Sequence, residues 1–101
     1  MKRQPLDDGR WFDIDKATVF EEDTYWNGNN NISKATCSQW SHETLYKTKR
    51  GKWVLYHSSQ YQGSRPSWEE ISEEDAARWL VINEHKLDNS SLNEYFDSLE
   101  V

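Results

Sequence analysis

Two short strings in this chain echo one another: Ser38-Gln39-Trp40 and Ser59-Gln60-Tyr61. Between them lie His42, Glu43 and His57, and just beyond them Arg65. A carboxylate beside an imidazole can act as a general base and acid pair, and a cation such as Arg65 or Lys47 could stabilise an oxyanion or a phosphorane. Small acidic α+β ribonucleases use such a set, with Glu43 and His57 here as the pair. Without catalysis, Gln39, Trp40, His42, Gln60 and Tyr61 form a hydrogen-bonding surface with aromatic walls, as in a small-ligand or nucleotide pocket. The same residues also suit two polar strands that end in water, with Trp40 and Tyr61 capping a core.

A second chemistry sits at a turn. Lys47, Lys49, Arg50 and Lys52 put four cations within six positions, and Tyr46, Trp53 and Tyr56 adjoin them. Cations beside aromatic platforms suit single-stranded RNA or DNA. The whole chain opposes this, because its formal net charge of -6 weakens general attraction to phosphates. That charge is uneven. Residues 1–33 carry a net -3, residues 34–68 a net +5 and residues 69–101 a net -8. The acidic 69–75 segment and the carboxylates at 84, 88, 94, 97 and 100 could face a basic partner, or could simply solvate helix exteriors.

Other chemistries have little to stand on. There is no His-x-x-x-His or Cys-x-x-Cys spacing, so no metal site and no cofactor is expected. Cys37 lacks an evident base and reads as a packed thiol. The four glycines make no phosphate loop, and no serine sits in a nucleophile elbow.

The elements that must position these residues centre on a hairpin. Strand-like runs at 43–48 and 52–58 flank Lys49, Arg50 and Gly51. A type I turn closed by a glycine bulge at Gly51 would pair 48 with 52, 46 with 54 and 44 with 56. One face then carries Leu45, Lys47, Trp53, Leu55 and His57; the other carries Thr44, Tyr46, Val54 and Tyr56. Extending the ladder sets His42 opposite Ser58, Glu43 opposite His57 and residue 40 opposite 60, gathering the polar-aromatic cluster at the end away from the basic turn.

Around the hairpin, residues 1–9 read as a loose arm, 10–14 as a short strand and 15–23 as a short helix, although Thr18, Val19 and Phe20 also suit a strand. Asn27-Gly28 is a turn signal. Residues 67–71 form a third strand. A helix follows at 73–85, with Ser72 as N-cap, Ile71 and Ala76 as a hydrophobic staple, and Ala76, Trp79, Leu80 and Asn83 on one stripe widened by Val81 and Ile82. Leu92, Tyr95, Phe96 and Leu99 predict a second helix at 91–99.

The expected fold class is α+β: one domain with an antiparallel sheet around the 43–58 hairpin and helices on one face. Its 101 residues suffice for a core, and six Trp within 14% aromatic content argue against general disorder. No apolar run is long enough to span a membrane, and the start lacks a signal-peptide core. A single Cys fits a reducing, cytoplasmic location. The function expected first is a non-enzymatic binding or regulatory module, with a protein or nucleic-acid partner left open. A ribonuclease-like hydrolase and a single-stranded nucleic-acid binder are the alternatives.

The strings ETLYKT (43–48), GKWVL (51–55), SQYQGS (59–64) and ISEEDAARWL (71–80) resemble a family of small, uncharacterised bacterial proteins. The resemblance implies a bacterial cytosolic protein. It brings no activity and no site residue.

Overall fold

The computed structural model describes residues 1–60, 63, 65–83, 97 and 100. At its centre is the expected hairpin. Strands β6 (Ser41–Lys47) and β7 (Trp53–Ser59) pair antiparallel, with Lys47 opposite Trp53, Tyr46 opposite Val54 and Glu43 opposite His57. The turn is set by Gly51, whose φ of 81° is a conformation that favours glycine. Thr48 N–H donates to the Lys52 carbonyl at 2.8 Å, and Gly51 N–H donates to the Thr48 carbonyl at 2.9 Å.

A four-stranded antiparallel sheet grows from this hairpin, in the order β3 (Thr18–Glu21), β6, β7, β8 (Ser67–Ile71). Strand β3 overturns the helix expected over 15–23. Only Ile14–Lys16 turns, as a single 3-10 turn capped by Asp13. The β-branched Thr18 and Val19 and the aromatic Phe20 fit a pleated surface, and β6 supplies their ladder, with Phe20 opposite Leu45. Two small hairpins complete the strands. Strand β1 (Arg3–Pro5) pairs with β2 (Trp11–Asp13), and β4 (Thr24–Trp26) pairs with β5 (Asn31–Ser33).

Alternation along β6 and β7 builds a core on each face of the sheet. On one face Leu45 and Trp53 pack against Ala76, Ala77, Trp79 and Leu80 of helix α1 (Glu73–Ile82), with Phe20, Leu55 and Ile71 around them. Ser72 caps this helix, its Oγ accepting from Asp75 N–H at 3.1 Å. Val81 and Ile82, expected to widen the buried stripe, are instead exposed, and Ala77 is buried in their place. The helix ends at Asn83, whose N–H and Nδ2 both donate to the Trp79 carbonyl. Residues 84 and 85 of the expected helix, and the second helix expected at 91–99, lie outside the described residues apart from Asp97.

On the other face, Val54 packs with Leu6 and Phe12, and Tyr46 and Trp68 close around them. The segment expected as a loose arm is therefore folded down: Leu6 and Phe12 are buried, and Asp7 N–H donates to the Trp68 carbonyl at 2.9 Å. Burial of these two side chains, together with the β1–β2 pairing, offsets the entropy of ordering a polar terminus.

Candidate functional site

The two ends of the β6–β7 hairpin carry the two chemistries. At the strand ends, the cross-strand register brings Glu43 to His57, with Nδ1 3.2 Å from Oε2. A carboxylate only accepts, so Nδ1 carries the hydrogen. The other carboxylate oxygen of Glu43 accepts from the indole N–H of Trp79 at 3.2 Å. Glu43 thus satisfies the polar edge of a ring that fills the core, as a buried Trp requires. His42 points to the opposite face of β6 from Glu43, by strand alternation. Its partner is Glu22, whose Oε1 meets His42 Nδ1 in a short contact.

Glu22 is the residue that sequence reasoning missed. Its Oε2 accepts from Ser33 Oγ and from Glu43 N–H, the latter at 2.9 Å. Its side chain is only 12% exposed. Serine, histidine and carboxylate therefore meet, but in an order unsuited to nucleophilic catalysis. The carboxylate stands between serine and imidazole, so the hydroxyl meets the Glu22 carboxylate rather than an imidazole, and Ser33 is fully buried. Ser33 instead organises the turn after β5, its Oγ accepting from the Ala35 and Thr36 N–H groups. Cys37, expected to be packed, closes that turn in an exposed position at φ 58°, its N–H donating to the Ser33 carbonyl.

Beyond the strands, the expected pairing of residue 40 with residue 60 is formed. Gln60 N–H donates to the Trp40 carbonyl at 2.9 Å, which continues the pairing by one step, and the Trp40 ring is exposed. Gln39 is partly buried, whereas Gln60 and Arg65 are exposed. Tyr61 lies outside the described residues. Among those residues, no group of three His, Cys, Asp or Glu is placed to hold a metal ion.

The basic turn at the other end forms one wall of a groove. Lys49, Arg50 and Lys52 line it, and the β1–β2 hairpin supplies the opposite wall with Arg10, Trp11 and Asp13. Its volume is about 590 Å³, within the usual range for a ligand site. Val54 and Phe12, both buried, contribute an apolar floor.

The cations of this groove differ in their commitments. Arg10 is held by Asp8 and Glu70, each 2.6 Å away, and these partners raise its already high pKa. Among the described residues, Lys49, Arg50 and Lys52 make no ion pair, whereas Lys34 is paired with Asp23 and Arg78 with Glu74. Lys47, grouped with them in sequence, is parted from them by the pleat. Its ammonium lies 5.5 Å from the ring centre of Trp53, on the helix-covered face. Trp11 is 48% exposed, with the Arg3 guanidinium 4.9 Å from its ring centre.

One group in the groove wall stands out. Asp13 is 2% exposed. Its Oδ1 accepts from the Lys2 and Asp15 N–H groups at 3.4 and 3.2 Å. Its Oδ2 is buried and, among the described residues, has no hydrogen-bond partner. Leaving such an acceptor unmet costs about 1–3 kcal/mol.

Comparison with known proteins adds no relative: no family model, curated protein or solved structure matches the chain. Nothing in those comparisons bears on the resemblance to small bacterial proteins.

Proposed function

We propose that this protein is a non-enzymatic binding module that takes single-stranded nucleic acid in the groove between the β1–β2 hairpin and the basic turn. The observation that carries this reading is the trio Lys49, Arg50 and Lys52, free of ion pairs among the described residues and lining one groove with a half-exposed Trp11. A flexible strand can lay phosphates along the cations and a base on the indole, a combination indifferent to sequence. A net charge of -6 does not forbid this, since screening over about 8 Å at physiological salt lets a local basic wall act on its own. It does predict modest affinity that needs low salt. No described helix is long and apolar enough to cross a membrane. The free, exposed Cys37 fits the reducing, cytoplasmic location proposed from the sequence.

The ribonuclease reading has the Glu43–His57 contact in its favour. A phosphate cleaved by acid and base together needs the two groups on either side of it. Here they are hydrogen-bonded to each other, and Glu43 is further engaged by Trp79. Incubating the protein with end-labelled single-stranded RNA in a metal-free buffer separates the two. Intact RNA that migrates as a complex supports the binding module. Cleavage that disappears in His57→Ala would replace it with a hydrolase.

A further inference from the structure

Strand β8 places an acid, Glu70, in the wall of the basic groove. Glu70 lies opposite Val54 in the β7–β8 ladder, so its side chain shares the face on which Val54 floors the groove. Its Oε1 accepts from Arg10 at 2.6 Å. Its Oε2 has no partner among the described residues and, unlike Oδ2 of Asp13, is not buried. Glu70 also lines a second hollow of about 300 Å³, where Arg50 and Lys52 recur beside Ser72 and Glu73. A chain that follows these two cations from one hollow to the other runs past the open oxygen. A carboxylate there repels a phosphate but accepts from a hydroxyl.

We infer that the groove selects ribose over deoxyribose strands, with Glu70 accepting a hydrogen bond from a sugar 2′-hydroxyl. This rests on the nucleic-acid reading above and adds the sugar to it. The 2′-hydroxyl is the group by which a protein tells RNA from DNA at a given site. Lys52 lines both hollows with Glu70, and no ion pair joins the two. Cation and acceptor are thus separately open to a ligand. A nucleotide carries its 2′-hydroxyl next to its 3′-phosphate, so one unit can set its phosphate on Lys52 and its hydroxyl on Glu70. The Arg10 contact holds the carboxylate in place, and Arg10 is itself fixed by Asp8. A deoxyribose strand offers Glu70 no donor, and only repulsion of its phosphates remains.

The test is fluorescence anisotropy at low salt with labelled oligouridine, oligodeoxyuridine and 2′-fluoro-oligouridine of equal length. The 2′-fluoro strand keeps the ribose-like ring pucker and lacks the donor, so it separates the hydroxyl from the shape of the sugar. The wild-type protein binds the ribose strand about fivefold more tightly than either of the others, the effect of one hydrogen bond at an open site. In Glu70→Ala the three strands bind about equally. Equal binding of all three by the wild type overturns the sugar preference while leaving the groove as a nucleic-acid site. A 2′-fluoro strand bound as tightly as the ribose strand assigns the preference to pucker, and a preference that survives Glu70→Ala assigns it to another residue; either overturns the inference. Absence of binding to every strand overturns the underlying reading, and this inference falls with it. Should Glu70→Ala prove unfolded by circular dichroism, amide NMR of the wild-type chain decides. Signals of residues 69–71 that shift with the ribose strand and stay fixed with the 2′-fluoro strand support Glu70; equal shifts, or none, overturn it.

Discussion

The strand ends and the turn of a single hairpin make opposite use of their charged groups. At the strand ends, His42 is committed to Glu22 and His57 to Glu43, and both carboxylates accept further donors from Ser33, Trp79 and the chain itself. At the turn, Lys49, Arg50 and Lys52 make no ion pair among the described residues and line an open groove. Groups already satisfied by the fold hold the fold. Groups left unsatisfied are the ones available to a ligand. A histidine–carboxylate pair, which draws the eye in a sequence as chemistry, is here committed to the fold, while the plain lysines of the turn are the charges left open to a ligand.

The comparison is broken most readily by removing Trp79. If the strand end is structural, Trp79→Ala loses a buried indole and the donor to Glu43, and costs about 3–5 kcal/mol in urea unfolding. Lys49→Ala, at the other end, stays within about 0.5 kcal/mol of wild type. Similar midpoints for both variants would erase the distinction. Glu22→Ala is the next largest. It strips the acceptor from Ser33 Oγ, Glu43 N–H and His42 together, and about 1–3 kcal/mol is lost in the same assay. An unchanged midpoint would mean that Glu22 is not the hub of that end.

A smaller effect sharpens the other side of the comparison, where the groove exists only because the β1–β2 hairpin packs down. Tyr46 lies beneath it, its ring centre 5.6 Å from that of Phe12. Burial first, then the nearby Glu21 and Tyr56, raises the Tyr46 phenol above its usual pKa. The neutral phenol is therefore the form the fold favours. Its contribution to stability is complete below the ordinary tyrosine range near pH 10 and is lost as pH rises through the elevated folded value. In an ultraviolet titration Tyr46 ionises later than a free tyrosine, and Phe12→Ala moves it back toward the normal range. A Tyr46 that titrates normally in the wild type would leave the β1–β2 hairpin loose and the groove without its second wall.

Much of the central architecture was legible from local signals. Gly51 one residue beyond Lys49-Arg50 fixes the turn, and the turn fixes the register that sets Glu43 beside His57. Ser72 followed by three acidic residues marks the start of α1. What escaped depends on contacts between distant segments. Glu22 reaches His42 across 20 positions of sequence, and no local pattern announces that. The three-residue strands β1 and β2 are too short to show alternation and are held by Leu6 and Phe12 packing on Val54. The basic wall of the groove could therefore be read from Lys49, Arg50 and Lys52, but Trp11 and Asp13 could not be placed opposite it. Lys47 was grouped with the other cations by spacing, and the pleat puts it elsewhere.

Binding of single-strand phosphates by Lys49, Arg50 and Lys52 is decided by the salt dependence of affinity. Three phosphate contacts predict that log K falls against log salt with a slope of about -2 for the wild-type protein. In the triple variant Lys49→Ala, Arg50→Ala, Lys52→Ala, with its fold checked by circular dichroism, the account predicts a slope near zero and weak residual binding. A slope that is equally steep in both proteins would contradict it.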